Sequence, residues 1–233
     1  MKKLLKTMVL SLVCVAVMAG CGGVSLGSEK LNVKTDEIQL QQPQKGDTVA
    51  TITTSEGEIK VLLFPDYAPK AVQNFIALAG KGYYDGTVFH RVIRDFIIQG
   101  GSPDGSRGGG NSCWGLEFED EFSDKLHHYC GALSMANHGA DTNGSQFFFV
   151  TAPLGKLDDS TLAQLEDAGW REGIISAYKQ AGGVPELDYR YTVFGQIYEG
   201  LNVAYKISRA ETDASDRPVK DVIIESIVIS TVE

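Results

Sequence analysis

The chain is short of residues that staple or chelate, with four cysteines and four histidines among 233 residues. His127 and His128 are adjacent, and on an extended segment neighbours point to opposite sides, a poor geometry for sharing a metal. They read as solvated surface residues, and neither a metal nor an organic cofactor is expected. Positive charge is scarce too. Lys and Arg number 21 against 30 Asp and Glu, a net charge of −9 that becomes −12 once Lys2, Lys3 and Lys6 are removed with the leader described below. That balance excludes nucleic acid as a partner, because phosphates demand a basic face, and excludes docking on anionic lipid by charge alone. There is no apolar run of the ~20 residues that a membrane span needs. The glycines at 108–110 have no G-x-G-x-x-G around them, no following Lys-Ser/Thr and no helix pattern, so a phosphate-binding loop is not indicated. No internal repeat or low-complexity tract appears. What remains, 43% hydrophobic and 22% charged residues, is ordinary for one soluble globular domain with appendages.

The first appendage is a leader. Lys2, Lys3 and Lys6 precede an apolar stretch from Met8 to Ala19 broken only by Ser11, and Met18-Ala19-Gly20-Cys21 resembles the lipobox of bacterial lipoproteins. Residues 1–20 are then a signal peptide, and acylated Cys21 tethers the protein outside the cytoplasm on a bacterial membrane. The alternative is an uncleaved anchor, for which the stretch is short. Residues 21–46 are polar, without apolar period, and read as a flexible tether. Cys14 leaves with the signal. Cys113 and Cys130 remain, either bridged, which would be worth about 3 kcal/mol on the chain-entropy model, or free and half-buried.

Residues 47–233 carry the fold. Thr48–Thr54 and Glu58–Phe64 alternate around a Ser55-Glu56-Gly57 turn and predict a hairpin. Pro69 opens a helix whose apolar positions are Val72, Phe75, Ile76 and Ala79, stopped by Gly80 and Gly82. Two short strands joined at Arg94-Asp95 follow. Residues 152–186 are predicted as a helical insertion broken near Gly169, with Asp158, Asp159 and Ser160 as caps and Gly182-Gly183 as a stop. A second helix over Leu201–Ser208 and a closing strand over Val222–Val232 complete the domain. Pattern alone supports a mixed, strand-rich architecture.

Two stretches carry more. Phe89 to Gly101 reads F-H-R-V-I-R-D-F-I-I-Q-G-G, and Ala132 to Val150 reads A-L-S-M-A-N-H-G-A-D-T-N-G-S-Q-F-F-F-V. The F-H-R-V-I, F-x-x-Q-G-G, L-S-M-A-N and T-N-G-S-Q-F-F runs, in that order, resemble the cyclophilin family of peptidyl-prolyl cis-trans isomerases. The resemblance implies a mainly β fold, a closed eight-stranded antiparallel barrel capped by two helices, here with a helical insertion. It implies activity on Xaa-Pro bonds, with proline-containing polypeptides as partners, no cofactor, and a monomer. By the same resemblance Arg91 is the catalytic residue, stabilising the imide as it twists. Phe96, Ile97, Phe148 and Leu187 receive the proline ring, and Gln99, Gln146, Ala136 and Asn137 hold the peptide. Each apolar residue taken singly reads as ordinary core; their joint occurrence with Arg91, Gln99 and Gln146 reverses that. His90, next to Arg91, is expected to point away and has no role.

Two positions depart from the family pattern. Tyr191 stands where a histidine is frequent, and it can still pack in the site. Glu186 stands where cyclosporin-sensitive members often have Trp, which removes the aromatic surface that drug uses. The competing functional readings are a non-catalytic module that holds proline-containing segments as a chaperone or scaffold, and a lipocalin-like barrel. The bulky Phe and Ile residues predicted to point inward argue against the second.

Overall fold

The structure, a computed structural model, describes residue 31 and residues 33–233. The predicted signal peptide, Cys14 and the lipidation site Cys21 lie outside the described residues. Among the described residues, no helix is long and apolar enough to cross a membrane.

β1 (Thr48–Thr54) and β2 (Gly57–Leu63) form the expected hairpin. Its turn is closed by the Thr54 hydroxyl, which donates to the carbonyl of Gly57 at 2.7 Å. α1 (Pro69–Ala79) starts on its proline and buries Val72, Phe75 and Leu78. β3 (Arg91–Ile93) and β4 (Ile97–Gly100) are joined by a tight turn in which Asp95 takes φ +55°. β5 (Ala132–Met135) and β6 (Phe147–Val150) are wholly buried. β7 (Val193–Glu199) and β8 (Ile224–Thr231) flank a helix over Leu201–Ser208. The core centres on Phe75, whose ring lies 5.4–5.5 Å from those of Tyr84, Phe147 and Phe194.

The strand order is β3-β4-β6-β5-β7-β2-β1-β8, antiparallel throughout, and the sheet curls into a half-barrel. The strand order runs from β3 to β8 without a ladder between these two end strands. The segment before β3 meets the start of β8 and the residues just before it: Val88 bridges Ile223, the amides of Gly86 and Phe89 donate to the carbonyls of Ile224 and Val222, and the Ile224 amide donates to the Thr87 carbonyl. A three-residue end strand is too short to carry a full ladder around the curl.

The insertion holds α2 (Asp159–Asp167) and α3 (Glu172–Ala181), separated at Gly169 as expected. The Asp158 carboxylate caps α2 by accepting from the Thr161 amide at 2.8 Å. Gly182 ends α3 at φ +78°, where a Cβ would lie 2.6 Å from the Pro153 backbone, so no other residue fits. Counting these with α1 and the Leu201–Ser208 helix, α4, four α-helices are present among the described residues.

The predicted tether departs most. Residues 33–46 do not stand free: Glu37 and Gln39 are buried, and Leu31, Val33 and Leu40 pack with Leu162, Ile174 and Tyr178 of the insertion. The Glu37 carboxylate accepts two bonds from Arg171, at 3.1 and 3.3 Å. Gln39 reaches the barrel, donating to the His127 carbonyl at 2.7 Å and to Gln196 Oε1 at 3.0 Å. A polar composition concealed the few apolar residues that dock this segment.

Cys113 and Cys130 are free thiols. Cys130 is buried with its sulfur 3.1 Å from the Tyr205 hydroxyl, and burial pushes its pKa up to about 12, so it is inert as a nucleophile.

Candidate active site

The β3–β4 hairpin sets Arg91 directly opposite Gln99, and β4 sets Gln99 opposite Phe148 of β6. This register aligns a polar row. Arg91 Nη1 donates to Gln99 Oε1 at 3.4 Å, and Gln99 Nε2 donates to Gln146 Oε1 at 2.9 Å. Gln146 Nε2 then donates to the carbonyls of Gly109 at 2.5 Å and Arg107 at 3.2 Å. On its other side Arg91 Nε lies 3.7 Å from the carboxylate of Asp216, which also accepts from Arg107 at 3.2 Å. The Arg91 side chain keeps 27% of its surface in solvent, although Nε itself is buried. Arg91 thus has one hydrogen bond, to Gln99, and one ion pair, to Asp216.

The apolar half of the site sits beside it. Ile97 and Phe148 are buried, and Phe96, Ala136, Leu187 and Tyr191 pack around them, partly exposed, in one cluster. Phe148 is fixed on two sides: its ring stacks on His128 at 5.9 Å and meets the edge of Tyr191 at 5.4 Å. Ala136, whose amide donates to the Gln146 carbonyl at 2.9 Å, and Asn137, which donates to the Arg190 carbonyl at 3.2 Å, border a groove of about 310 Å³ shared with Gln99 and Gln146. Gln99, Ala136, Asn137 and Gln146 thus line one groove, Arg91 donates to Gln99, and Ile97 and Phe148 pack with Phe96, Leu187 and Tyr191 in the neighbouring apolar cluster. His90 is buried beside them, and burial, then the charges of Arg217 and Arg107, hold its pKa below the ordinary value.

The expectation for His127 and His128 is overturned. Both are buried rather than solvated, and they converge on one carboxylate. His127 Nδ1 lies 3.0 Å from Asp188 Oδ2, and His128 Nδ1 lies 2.7 Å from Oδ1. The His128 amide also donates to Oδ1 at 2.7 Å, and the Tyr178 hydroxyl donates to Oδ2 at 2.6 Å. Burial alone would raise the Asp188 pKa, yet the hydrogen bonds from His127 and His128 outweigh it and hold it at about 2. The segment is irregular, so the two rings need not diverge as they would on a strand. Arg107 and Asp216 were also absent from the sequence-based set. They lie in loops more than a hundred residues apart that only the fold brings to Arg91.

Residues 49–229 match the family model described as cyclophilin type peptidyl-prolyl cis-trans isomerase/CLD. The chain belongs to the cyclophilin family of peptidyl-prolyl cis-trans isomerases. This cyclophilin is 47% identical to a Staphylococcus epidermidis protein named as a peptidyl-prolyl cis-trans isomerase, over 79% of this chain and 92% of that one. A Staphylococcus aureus protein of the same name is 46% identical over 80% of this chain and 94% of its own length. The cyclophilin is also 47% identical to a Streptococcus pyogenes protein named as a bifunctional phosphatase/peptidyl-prolyl cis-trans isomerase, of which it spans only 44%. Among solved structures, a Cryptosporidium parvum cyclophilin type isomerase superposes with a TM-score of 0.65 at 33% identity, covering 80% of this chain and 99% of that one. The same parasite enzyme, crystallised in the presence of the dipeptide Ala-Pro, gives 0.63. Peptidyl-prolyl cis-trans isomerisation is accordingly the activity of this cyclophilin.

Proposed function

We propose that the cyclophilin isomerises Xaa-Pro bonds of exported proteins by non-covalent catalysis at Arg91. Twisting the imide sacrifices resonance against a barrier of roughly 18–20 kcal/mol, and as it twists the proline nitrogen regains a lone pair. A donor that meets that lone pair stabilises the twisted form selectively. Arg91 fits this role because its charge is permanent and its fork is held between Gln99 and Asp216. One charge-assisted bond contributes about 1.5–3 kcal/mol, so the rest of the rate enhancement comes from gripping the substrate. In this reading the proline ring enters the notch of Phe96, Ile97, Phe148, Leu187 and Tyr191. Gln99, Gln146, Ala136 and Asn137 fix the adjoining peptide. The single observation that carries the reading is the continuous row Arg91–Gln99–Gln146 along the edge of that notch.

The lipobox-like Met18–Cys21 supports a tether through acylated Cys21, which would place a monomeric enzyme outside the cytoplasm where newly exported chains fold. Two experiments test the proposal. Substoichiometric protein should accelerate cis-trans exchange in an Ala-Pro peptide, and absence of acceleration would overturn the catalytic part. Mass spectrometry of the membrane-extracted protein should find an acylated Cys21 as its first residue; a chain that keeps residues 1–20, or an unmodified Cys21, would overturn the anchor.

A further inference from the structure

A second cavity, about 490 Å³, opens where the insertion meets the β3–β4 hairpin. Its apolar lining includes Phe96, Ala152, Leu157, Val184 and Leu187. Phe96 and Leu187 also belong to the proposed proline notch and pack in one cluster with Ile97 and Phe148, so the cavity adjoins it. Around this lining stand three cations, Arg94, Lys156 and Arg190, and three anions, Asp95, Asp158 and Glu186. The charges balance, so the site offers no net attraction for an ion. An apolar side chain with its backbone running between polar edges is the ligand that suits it.

Its position along β4 gives the spacing. The 310 Å³ groove touches the Gln99 end of that strand, and the new cavity touches Phe96 just before its start. Three residues of extended chain span about 10 Å, so a substrate lying in the first groove and the notch reaches the cavity within one or two residues of its proline. We infer that the insertion builds an additional subsite for a bulky apolar residue of the polypeptide substrate, close to the proline and on the side away from Gln99 and Gln146. This rests on the isomerase reading above, and it assigns residues 152–161 a part in choosing sequences. The volume exceeds that of one aromatic side chain, so a leucine, phenylalanine or tryptophan enters without displacing Leu157.

The test compares a tetrapeptide containing a central Ala-Pro with two peptides lengthened by two residues carrying Phe, one at each end. For the full-chain protein, one extension should raise kcat/KM about tenfold, the factor expected when a large apolar side chain is partly buried. Thr161→Trp, which fills the cavity from the first turn of α2 and does not line the notch, should abolish that gain and leave the tetrapeptide rate within about twofold. No gain from either extension, or an equal loss on all three peptides in Thr161→Trp, would overturn the subsite. Backbone amide shifts provide a reading independent of turnover and of the variant's folding. Residues 156–161 and 184 should respond to the favoured extended peptide and not to the tetrapeptide; shifts confined to the notch would contradict the inference. Failure of the wild type to turn over the tetrapeptide at all would instead count against the isomerase reading.

Discussion

The hydroxyl of Tyr178, on α3 of the insertion, donates to Oδ2 of Asp188 at 2.6 Å. Asp188 follows Leu187 of the proposed proline notch, and its other oxygen receives His128, the ring on which Phe148 stacks. The insertion is therefore joined to the notch by a buried polar network. Phe148 and Leu187, two residues that grip the ring in the proposed mechanism, are both positioned by it.

Tyr178→Phe keeps the packing of this fully buried ring and deletes one donor to a buried carboxylate. A hydrogen bond to a charged group is worth about 1.5–3 kcal/mol, so the urea midpoint should fall by a corresponding amount. KM for an Ala-Pro peptide should rise more than kcat falls, since the notch loosens while Arg91 stays in place. An unchanged midpoint would show that the network is dispensable.

Acid should undo the same network. The Asp188 carboxyl sits at about 2 in the fold against 3.8 ordinarily. Below 3.8 the unfolded chain takes up the proton while the folded one does not. The stabilisation is thus complete above about pH 5, is lost as pH falls through 3.8 towards 2, and amounts to about 2 kcal/mol. Unfolding free energies measured from pH 5 to pH 2 should show this loss in the wild type and less of it in Asp188→Asn, which is less stable at pH 7. Equal slopes would contradict the assignment.

Gln39 ties the amino-terminal segment to the barrel. Its amide donates to the His127 carbonyl and its oxygen accepts from the His127 amide at 2.7 Å. Gln39→Ala orphans both backbone groups in a buried site, at about 1–3 kcal/mol for each. Denaturant unfolding should register that loss. A neutral substitution would mean that residues 33–46 act as the free tether their composition suggests.

How far the sequence revealed this depends on how local each signal is. The hairpin at Ser55-Glu56-Gly57, the helix opened by Pro69 and the break at Gly169 are set by neighbouring residues, and each appears where it was expected. That Arg91, Gln99, Gln146 and Phe148 lie side by side was legible because two short runs carry them. The His127–His128–Asp188 network was not, because a period-of-two argument assumes a strand, and the segment is irregular with its partner sixty residues away. Gln39, Arg107 and Asp216 were missed for the same reason: each gains its role only from a contact across more than a hundred residues or from a loop without pattern. The regular ladder stops at β3, which is only three residues long, and the contact between the sheet's two edges passes through isolated bridges that no local pattern announces.

The account stands on Arg91 acting in the twisted state rather than in ground-state binding. The most direct measurement is NMR exchange on an Ala-Pro peptide with wild type and with Arg91→Ala, with peptide affinity measured in the same samples. The prediction is at least about a tenfold loss of catalysed exchange, the equivalent of one charge-assisted bond, with affinity within about threefold of wild type. Exchange that persists at the wild-type rate in Arg91→Ala, or that falls only as far as affinity does, would contradict it.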